Sequence, residues 1–321
     1  MIPISRGIVK PLQPFDFGKS SSIYARFGDW THTAFLDGTL YKSFEEDGSP
    51  HLLVVTERHG QIEARLFRSA SESTVGPGSA LGPRSVSETH EKHEPFSASS
   101  ATDIASWILS SDLDLRPLYE TEDPIFASLA KKLWGLKPPR TATIFEALVI
   151  AIIEQQIGLK VAATLQNRLV FRLGQALKFK DLEFRAFPTP GRLAGLEPQD
   201  LRDLGLSMNK SRFILGIAEA AVSEDLDLES LKKMATEEAR EVLVSMRGVG
   251  RWTADYVLLR GLGRLEAVPI DDLGIRDAVG LFYKGGERAT ALEAEEILLQ
   301  FGELAGVAAY YLLFARHRED L

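Results

Sequence analysis

The pattern of apolar and polar positions divides the chain into a strand-rich N-terminal part and a helical remainder. Short β-rich runs at 33–36, 39–43, 51–56 and 62–67 predict strands within residues 1 to about 68. Turn residues between these runs, at 36–39 and 58–61, predict two β-hairpins. Residues 69–94 are rich in Ser, Gly and Pro and carry almost no large apolar side chain, which predicts a mobile loop.

From Ala101 onward, apolar residues recur at helical spacing. The strongest stripe, in residues 144–156, consists of Phe145, Leu148, Val149, Ile152 and Ile153. Gly158 interrupts it before a further helix at 160–173. Other helices are predicted at 102–109, 126–134, 198–204, 209–222, 227–233, 236–245, 252–262 and 273–282. These patterns predict an α+β fold, with a strand-rich domain at 1–100 and an all-α region at 101–321.

The amino-acid composition excludes several kinds of active site. The 321 residues include no cysteine, which excludes disulfides, thiolate nucleophiles, zinc held by cysteine and cysteine-ligated iron–sulfur clusters. The six histidines lack metal-ligand spacing, so no metal site is expected. No apolar window is long enough to cross a bilayer and the N-terminus lacks a signal-peptide core, so we expect a cytoplasmic protein without a membrane partner.

Net charge counts against a nucleic-acid partner. The formal charge is −8 and the pI about 5.4, whereas nucleic-acid-binding domains are usually basic. Much of the acid lies in loop-like or helix-surface positions such as 45–47, so a local grip by a few cations and backbone amides is still compatible with the sequence. The acidic pI also fits an alternative, a helical protein-interaction domain.

The segment 246–276 carries the candidate chemistry, and its first feature is Gly248-Val249-Gly250 between two predicted helices. Glycines on either side of an apolar residue allow close backbone approach, with Val249 directed into the core. The turn amides and the next helix N-terminus would then face outward, where a phosphate can bind. The same spacing fits a purely structural corner, and the residues alone leave both interpretations open.

The second feature is the pair Asp271-Asp272, which precedes the apolar-periodic run 273–282. One interpretation is that one aspartate is the helix N-cap and the other a surface residue. The alternative is that one carboxylate takes part in chemistry beside the glycine turn.

Together the two features resemble a known signature. RGVGRWTADYVLLRG followed by IDDLGIR is similar to the helix-hairpin-helix plus Gly/Pro-Asp pattern of the base-excision DNA glycosylase superfamily, in particular its 3-methyladenine DNA glycosylase II branch. The resemblance covers nearly the whole chain, most strongly from about 113 to 280. It implies a TBP-like N-terminal domain and a helical region of two subdomains with the active site between them. The implied partner is double-stranded DNA with damaged bases, bound by a monomer associated with the nucleoid.

The resemblance implies that Asp272 is the catalytic residue, while Asp271 keeps the cap or spectator role. Breaking an N-glycosidic bond builds positive charge on the sugar, and a carboxylate can stabilise that charge and orient or deprotonate water. A base alkylated at N3 or N7 is already cationic and leaves without an acid. No paired general acid is therefore required.

Trp252 occupies the position at which bifunctional members of the superfamily carry a nucleophilic lysine. Because indole cannot form a Schiff base, the resemblance implies a monofunctional enzyme that uses water. Trp252 and Tyr256 share a helix face. Either they pack in the core, or they line a pocket for a flipped base, where a π face attracts a cationic alkylpurine.

Further roles follow from the resemblance alone. Gln156 is a candidate to fill the gap left in the duplex. Arg251 and Lys210 are candidates to contact phosphates, and the alternative for both is a solvated surface charge. The C-terminal pocket wall is expected near Tyr310, Tyr311, Leu313 and Phe314. No cofactor is expected, although the family allows a monovalent cation at the hairpin carbonyls.

The leading hypothesis is a monofunctional DNA glycosylase that flips out alkylated purines of the 3-methyladenine type and hydrolyses the N-glycosidic bond. Two alternatives are kept. One is a non-catalytic helix-hairpin-helix module that binds DNA and would not require a carboxylate at Asp272. The other is a glycosylase for hypoxanthine or uracil.

Overall fold

The computed structural model describes residues 1–25, 32–69 and 100–317, so the loop predicted at 69–94 lies, apart from Ser69, outside the described residues. The N-terminal part has five strands, one α-helix and one 3-10 helix: β1 Ile2–Val9, α1 Phe17–Ser21, the 3-10 helix Ser22–Ala25, β2 Thr33–Leu36, β3 Thr39–Glu46, β4 Ser49–Arg58 and β5 Gln61–Arg68. The strands form an antiparallel sheet in the order β1-β5-β4-β3-β2.

Both predicted hairpins are confirmed. Asp37-Gly38 joins β2 to β3 and His59-Gly60 joins β4 to β5, with positive φ at all four residues. Two consecutive residues with φ above zero match the twist of antiparallel strands in a two-residue turn.

The rest of the chain is mainly helical. Its elements are α2 Ala101–Ile108, α3 Arg116–Tyr119, α4 Pro124–Lys132, α5 Ile144–Glu154, α6 Leu159–Leu173, β6 Ala176–Phe179, β7 Leu182–Arg185, α7 Pro190–Leu193, α8 Pro198–Arg202, α9 Met208–Val222, the 3-10 helix Leu228–Lys233, α10 Thr236–Ser245, α11 Arg251–Gly261, α12 Leu273–Tyr283, α13 Ala291–Leu299, the 3-10 helix Gly302–Leu304 and α14 Ala305–Arg316. The α+β fold is confirmed. No helix in the described part of the chain is both long and apolar enough to span a bilayer.

The β6–β7 hairpin is a difference from the helical pattern predicted after Ala101. Its apolar residues Leu177 and Phe184 pack against Leu52 and Val54 of β4. Each strand has only four residues, and its apolar face is buried by a sheet more than a hundred positions away in the sequence. A local pattern therefore carries little signal for this hairpin.

Two helical cores flank the candidate site. The first centres on α5, whose residues from Ile144 to Ile153 are all buried, and includes α6, α9, α10 and α11. The second includes α4, α12, α13 and α14. Helix α2 covers one face of the N-terminal sheet, where Ile104 and Ile108 pack with Leu53 and Val55. Side chains from all three regions meet at a single large cavity.

Candidate active site

The cavity has a volume of about 1280 Å³ and is lined by the N-terminal sheet region, the α5–α6 junction, α11, the start of α12, and α14. Five predicted site residues lie on its wall, namely Asp272, Trp252, Tyr256, Gln156 and the turn glycine Gly250. The fold thus brings together residues that are up to 116 positions apart in the sequence.

Asp272 is held by two N–H donors. Its Oδ1 accepts a hydrogen bond from the Ile275 amide at 3.0 Å, which makes Asp272 the N-cap of α12. Its Oδ2 accepts one from the Trp252 indole Nε1 at 3.0 Å. Of the two roles expected for Asp271, cap or spectator, the cap belongs to Asp272, and Asp271 lies exposed at the cavity rim. None of the described residues forms an ion pair with Asp272.

Trp252 and Tyr256 stand one turn apart on α11, with ring centroids 5.7 Å from each other. Both rings are partly buried against the first helical core and also line the cavity. The two rings therefore pack against the core and also line the pocket, so the two interpretations do not exclude each other. Burial raises the pKa of the Tyr256 phenol, so this side chain is neutral at physiological pH.

The local structure requires glycine at only one of the two turn positions. Gly248 has φ +89°, and a Cβ there would lie 2.2 Å from ring atoms of Phe213. Gly250 is exposed, has φ −91° as the N-cap residue of α11, and a Cβ there would meet no atom within 4 Å. Val249 between them is buried, as expected. The protein's own packing requires glycine at 248 but not at 250.

The hairpin is attached to the end of α5. Gln155 donates from Nε2 to the Gly248 carbonyl at 2.9 Å and to the Thr253 hydroxyl at 2.9 Å. Arg251 is exposed, with only a distant contact of 3.7 Å to Asp255. Its guanidinium is therefore directed to solvent beside the turn.

Gln156 follows directly and is exposed at the cavity mouth. Its φ of +56° is a left-handed conformation that favours glycine, so the chain holds this side chain out at some conformational cost. Lys210 supports the bend, because its Nζ donates to the carbonyls of Ile153 at 2.8 Å and Gln155 at 2.6 Å. Lys210 is therefore a helix C-terminal cap, whereas the sequence had suggested a phosphate contact or a solvated charge.

The C-terminal wall consists of Tyr310, Leu313 and Phe314 from α14. Tyr311 is not part of it. Its side chain is fully buried on the other face of α14, where its hydroxyl donates to the Leu136 carbonyl at 2.7 Å and hydrogen-bonds the Tyr119 hydroxyl at 2.9 Å. The helical period places residues 310 and 314 together and sends 311 into the second core.

Several polar groups in the cavity were not predicted. Glu146 and Glu154 stand two turns apart on α5, and Arg260 stands one turn after Tyr256 on α11. Burial raises the pKa of Glu154 to about 7, although Gln166 donates to its Oε1 at 3.1 Å. The sequence signal that could have indicated these residues is their spacing, because each lies four or eight positions from another polar or aromatic residue on the same helix face.

A buried ionic cluster forms the cavity floor and connects the N-terminal sheet to α5. Lys42 of β3 lies 2.5 Å from the Glu146 carboxylate, and His32 Nε2 lies 3.5 Å from it. Burial opposes the charge of Glu146, but Lys42 and His32 outweigh it and lower the pKa of Glu146 to about 2. Among the described residues, no group of three or more Asp, Glu or His side chains could hold a metal ion.

Comparison with known proteins places this geometry in a family. Residues 149–303 match the family described as HhH-GPD superfamily base excision DNA repair protein. The chain is similar to the DNA-3-methyladenine glycosylase of Bacillus subtilis strain 168, with 36% identity over 203 residues that span 63% of this chain and 67% of that protein.

Solved structures extend the similarity to the whole fold. The 3-methyladenine DNA glycosylase of Archaeoglobus fulgidus superimposes over 97% of this chain and 98% of its own, with TM-score 0.77 and 24% identity. The 3-methyladenine DNA glycosylase of Schizosaccharomyces pombe, solved in complex with abasic DNA, covers 64% of this chain and 97% of its own, with TM-score 0.56 and 25% identity.

Proposed function

Because this chain belongs to the HhH-GPD superfamily of base excision DNA repair proteins, in its 3-methyladenine DNA glycosylase branch, we propose that it removes alkylated purines of the 3-methyladenine type from double-stranded DNA. The reaction is hydrolysis of the N-glycosidic bond. The observation that carries this proposal is the Asp272 carboxylate, held by two N–H donors and free of any cation among the described residues, on the wall of a cavity that can hold a base.

Asp272 is proposed as the catalytic residue. A carboxylate has about four lone-pair positions, and the donors Ile275 N and Trp252 Nε1 occupy two of them. The other positions can face the deoxyribose and a water molecule. As the bond to the base breaks, the carboxylate stabilises the positive charge on the sugar and orients the water that attacks C1′.

The Asp272 carboxylate and the aromatic rings beside it favour a cationic base. Lys42 is neutralised by Glu146 and Arg140 by Asp112, with 3.0 Å between the closest atoms of the second pair. In contrast, Asp272 forms no ion pair within the described part of the chain. A flipped alkylpurine beside the hairpin would therefore meet the unpaired Asp272 carboxylate and the π faces of Trp252 and Tyr256, with the Arg260 guanidinium one further turn along α11.

The proposed reaction uses water and no amine. Among the described residues that line the cavity, the single lysine is Lys42. Its Nζ is bound by the Glu146 carboxylate and by the Thr33 hydroxyl at 3.1 Å. Burial lowers the pKa of Lys42, whereas the adjacent Glu146 carboxylate favours the ammonium form. An amine held in this ion pair is not free to attack the sugar, which supports a monofunctional enzyme.

DNA is proposed to lie across the mouth of the cavity, bound by a protein monomer. The exposed amide side of Gly250 at the α11 N-terminus and the solvent-directed Arg251 would contact one phosphate region. Gln156, held out at the mouth, would enter the space that the flipped nucleotide leaves.

The test is release of 3-methyladenine from a methylated duplex. Wild type and Asp271→Asn should release the base, whereas Asp272→Asn should be slower by roughly 100-fold or more. Asp271→Asn is the matched control because it removes the adjacent, exposed carboxylate. Equal rates for the two variants would contradict the role of Asp272. Binding of the duplex by wild type without any base release would instead favour a non-catalytic DNA-binding module, and a borohydride-trapped covalent complex would contradict the use of water.

A further inference from the structure

Arg260 continues the stripe of α11 that faces the cavity. Trp252, Tyr256 and Arg260 are spaced by four residues, and all three line the cavity. The backbone around Arg260 is fixed, because its carbonyl accepts a hydrogen bond from the Thr141 amide at 2.9 Å. The Arg260 side chain therefore starts from a fixed point on the cavity wall, one helical turn beyond the aromatic pair.

The guanidinium of Arg260 differs from the other cations on the cavity wall. Lys42, Arg140 and Arg316 each form an ion pair, with Glu146, Asp112 and Asp277 respectively. Arg260 forms neither an ion pair nor a side-chain hydrogen bond with any residue that the structure describes. Its Nε is buried, as is the unpartnered Nε of Arg140, so the terminal N–H groups are the donors that remain for a ligand in the cavity.

Buried donors in proteins are nearly always satisfied, and a guanidinium cannot lose its charge to avoid the cost. Glu154 acts on the charge of Arg260 through space but lies beyond ion-pair distance. An unpaired donor fork on the wall of a substrate pocket is therefore expected to meet its acceptor on the substrate.

Resting on the proposed function, we propose that Arg260 is a specificity-determining residue that binds the acceptor edge of a flipped neutral 6-oxopurine, of which hypoxanthine is the simplest. The O6 and N7 atoms of such a base form the acceptor pair that the arginine fork matches. In 3-methyladenine the amino group replaces O6 and the base is cationic, so Arg260 faces a donor and a like charge and does not stabilise that base.

The chemistry explains why a neutral base would need this contact. When its glycosidic bond breaks, the bonding electron pair stays on the base, which departs as an anion. Arg260 stabilises that anion through O6 and N7 while Asp272 stabilises the sugar cation. Water then adds to C1′ and loses a proton, and the base gains one from solvent, so the sum is hydrolysis. A cationic alkylpurine departs as a neutral molecule and does not need the guanidinium.

The experiment compares base release by wild type, Arg260→Met and Arg260→Lys on two duplexes, one with hypoxanthine and one with 3-methyladenine. The proposal expects Arg260→Met to lose about 100-fold in kcat/KM on hypoxanthine and to keep or exceed the wild-type kcat/KM on 3-methyladenine, because a charge that opposes the cationic base is removed. Arg260→Lys keeps the charge without the fork and should fall between the two on hypoxanthine. Thermal unfolding of each variant verifies that it is folded.

Equal losses on both duplexes in folded Arg260→Lys would assign Arg260 a structural role and overturn the proposal. Unchanged hypoxanthine release in Arg260→Met would also overturn it. Wild type that releases 3-methyladenine but not hypoxanthine would refute the Arg260 proposal and leave the proposed function standing. Release of neither base would refute the proposed function itself.

Discussion

Replacing Trp252 by phenylalanine tests the contact between the indole and the Asp272 carboxylate. Phenylalanine keeps an aromatic face toward the cavity but lacks the Nε1–H that donates to Asp272 Oδ2 at 3.0 Å. The other oxygen keeps its bond from the Ile275 amide, so the start of α12 stays capped. The substitution therefore removes one positioning hydrogen bond and little else from the carboxylate.

The magnitude follows from the strength of that bond. A hydrogen bond to a charged group is worth about 1.5–3 kcal/mol. If the indole holds the carboxylate in its transition-state position, Trp252→Phe should lower kcat on 3-methyladenine duplexes by roughly 10- to 150-fold. Because a π face remains, KM should change by less than about threefold.

Single-turnover kinetics with excess enzyme separate this effect from product release. Trp252→Leu is the comparison variant, since it removes the indole N–H and the aromatic face together and should raise KM as well. If Trp252→Phe keeps kcat within about threefold of wild type while remaining folded, the Trp252–Asp272 bond does not position the carboxylate.

Four further changes give distinct expectations. Gly248→Ala should lower the free energy of unfolding by about 2 kcal/mol or more, because φ is +89° and the new Cβ would overlap Phe213. Gly250→Ala should leave stability within about 0.5 kcal/mol but weaken duplex binding in a salt titration, and unchanged affinity would remove the phosphate contact from the proposal. Glu154 has a folded-state pKa of about 7, above its ordinary 4.5, so it contributes stability below pH 4.5 that is lost as pH rises through 7. We therefore expect the effect of Glu154→Gln on the free energy of unfolding to be more favourable at pH 8 than at pH 4.5, by up to about 3 kcal/mol. Denaturant titrations at the two pH values measure this difference, and an effect that does not depend on pH would contradict this pKa. Gln156→Ala should slow base release from duplex by roughly tenfold but leave single-stranded DNA unaffected, and equal slowing on both would exclude a gap-filling role.

The parts of the site that were predictable lie close together in the sequence. The glycine turn, Trp252 and Asp272 fall within one segment of 31 residues, 246–276, and turn chemistry, helical spacing and a capping position define them locally. Which aspartate caps α12 was not predictable, because both precede the helix and only the packed structure selects Asp272.

The polar interior of the cavity depends on distant pairings. Lys42 and Glu146 are 104 residues apart, and their contact exists only once the sheet packs on α5. In the sequence, neither the Lys42 charge nor the Glu146 charge can be distinguished from that of a solvent-exposed side chain. The β6–β7 hairpin was missed for the same reason, since Leu177 and Phe184 acquire their partners from β4. The helix that contains Arg260 was correctly predicted. Whether the Arg260 charge is paired depends on which residues of other elements pack around it, and the sequence does not show them.

Helix α5 fixes the depth of the pocket. Near its first turn Glu146 is bound to Lys42 of the N-terminal sheet, and at its last turn Gln155 is bound to the Gly248 carbonyl of the hairpin. Eleven helical residues span about 16 Å, and α5 is buried along almost that whole length. The distance between the floor and the glycine turn is thus set by a rigid element attached at both ends. If the cavity binds a flipped base as proposed, a base too long for that distance cannot be accommodated by shifting the sheet away from the hairpin, and the length of α5 sets an upper limit on the substrate.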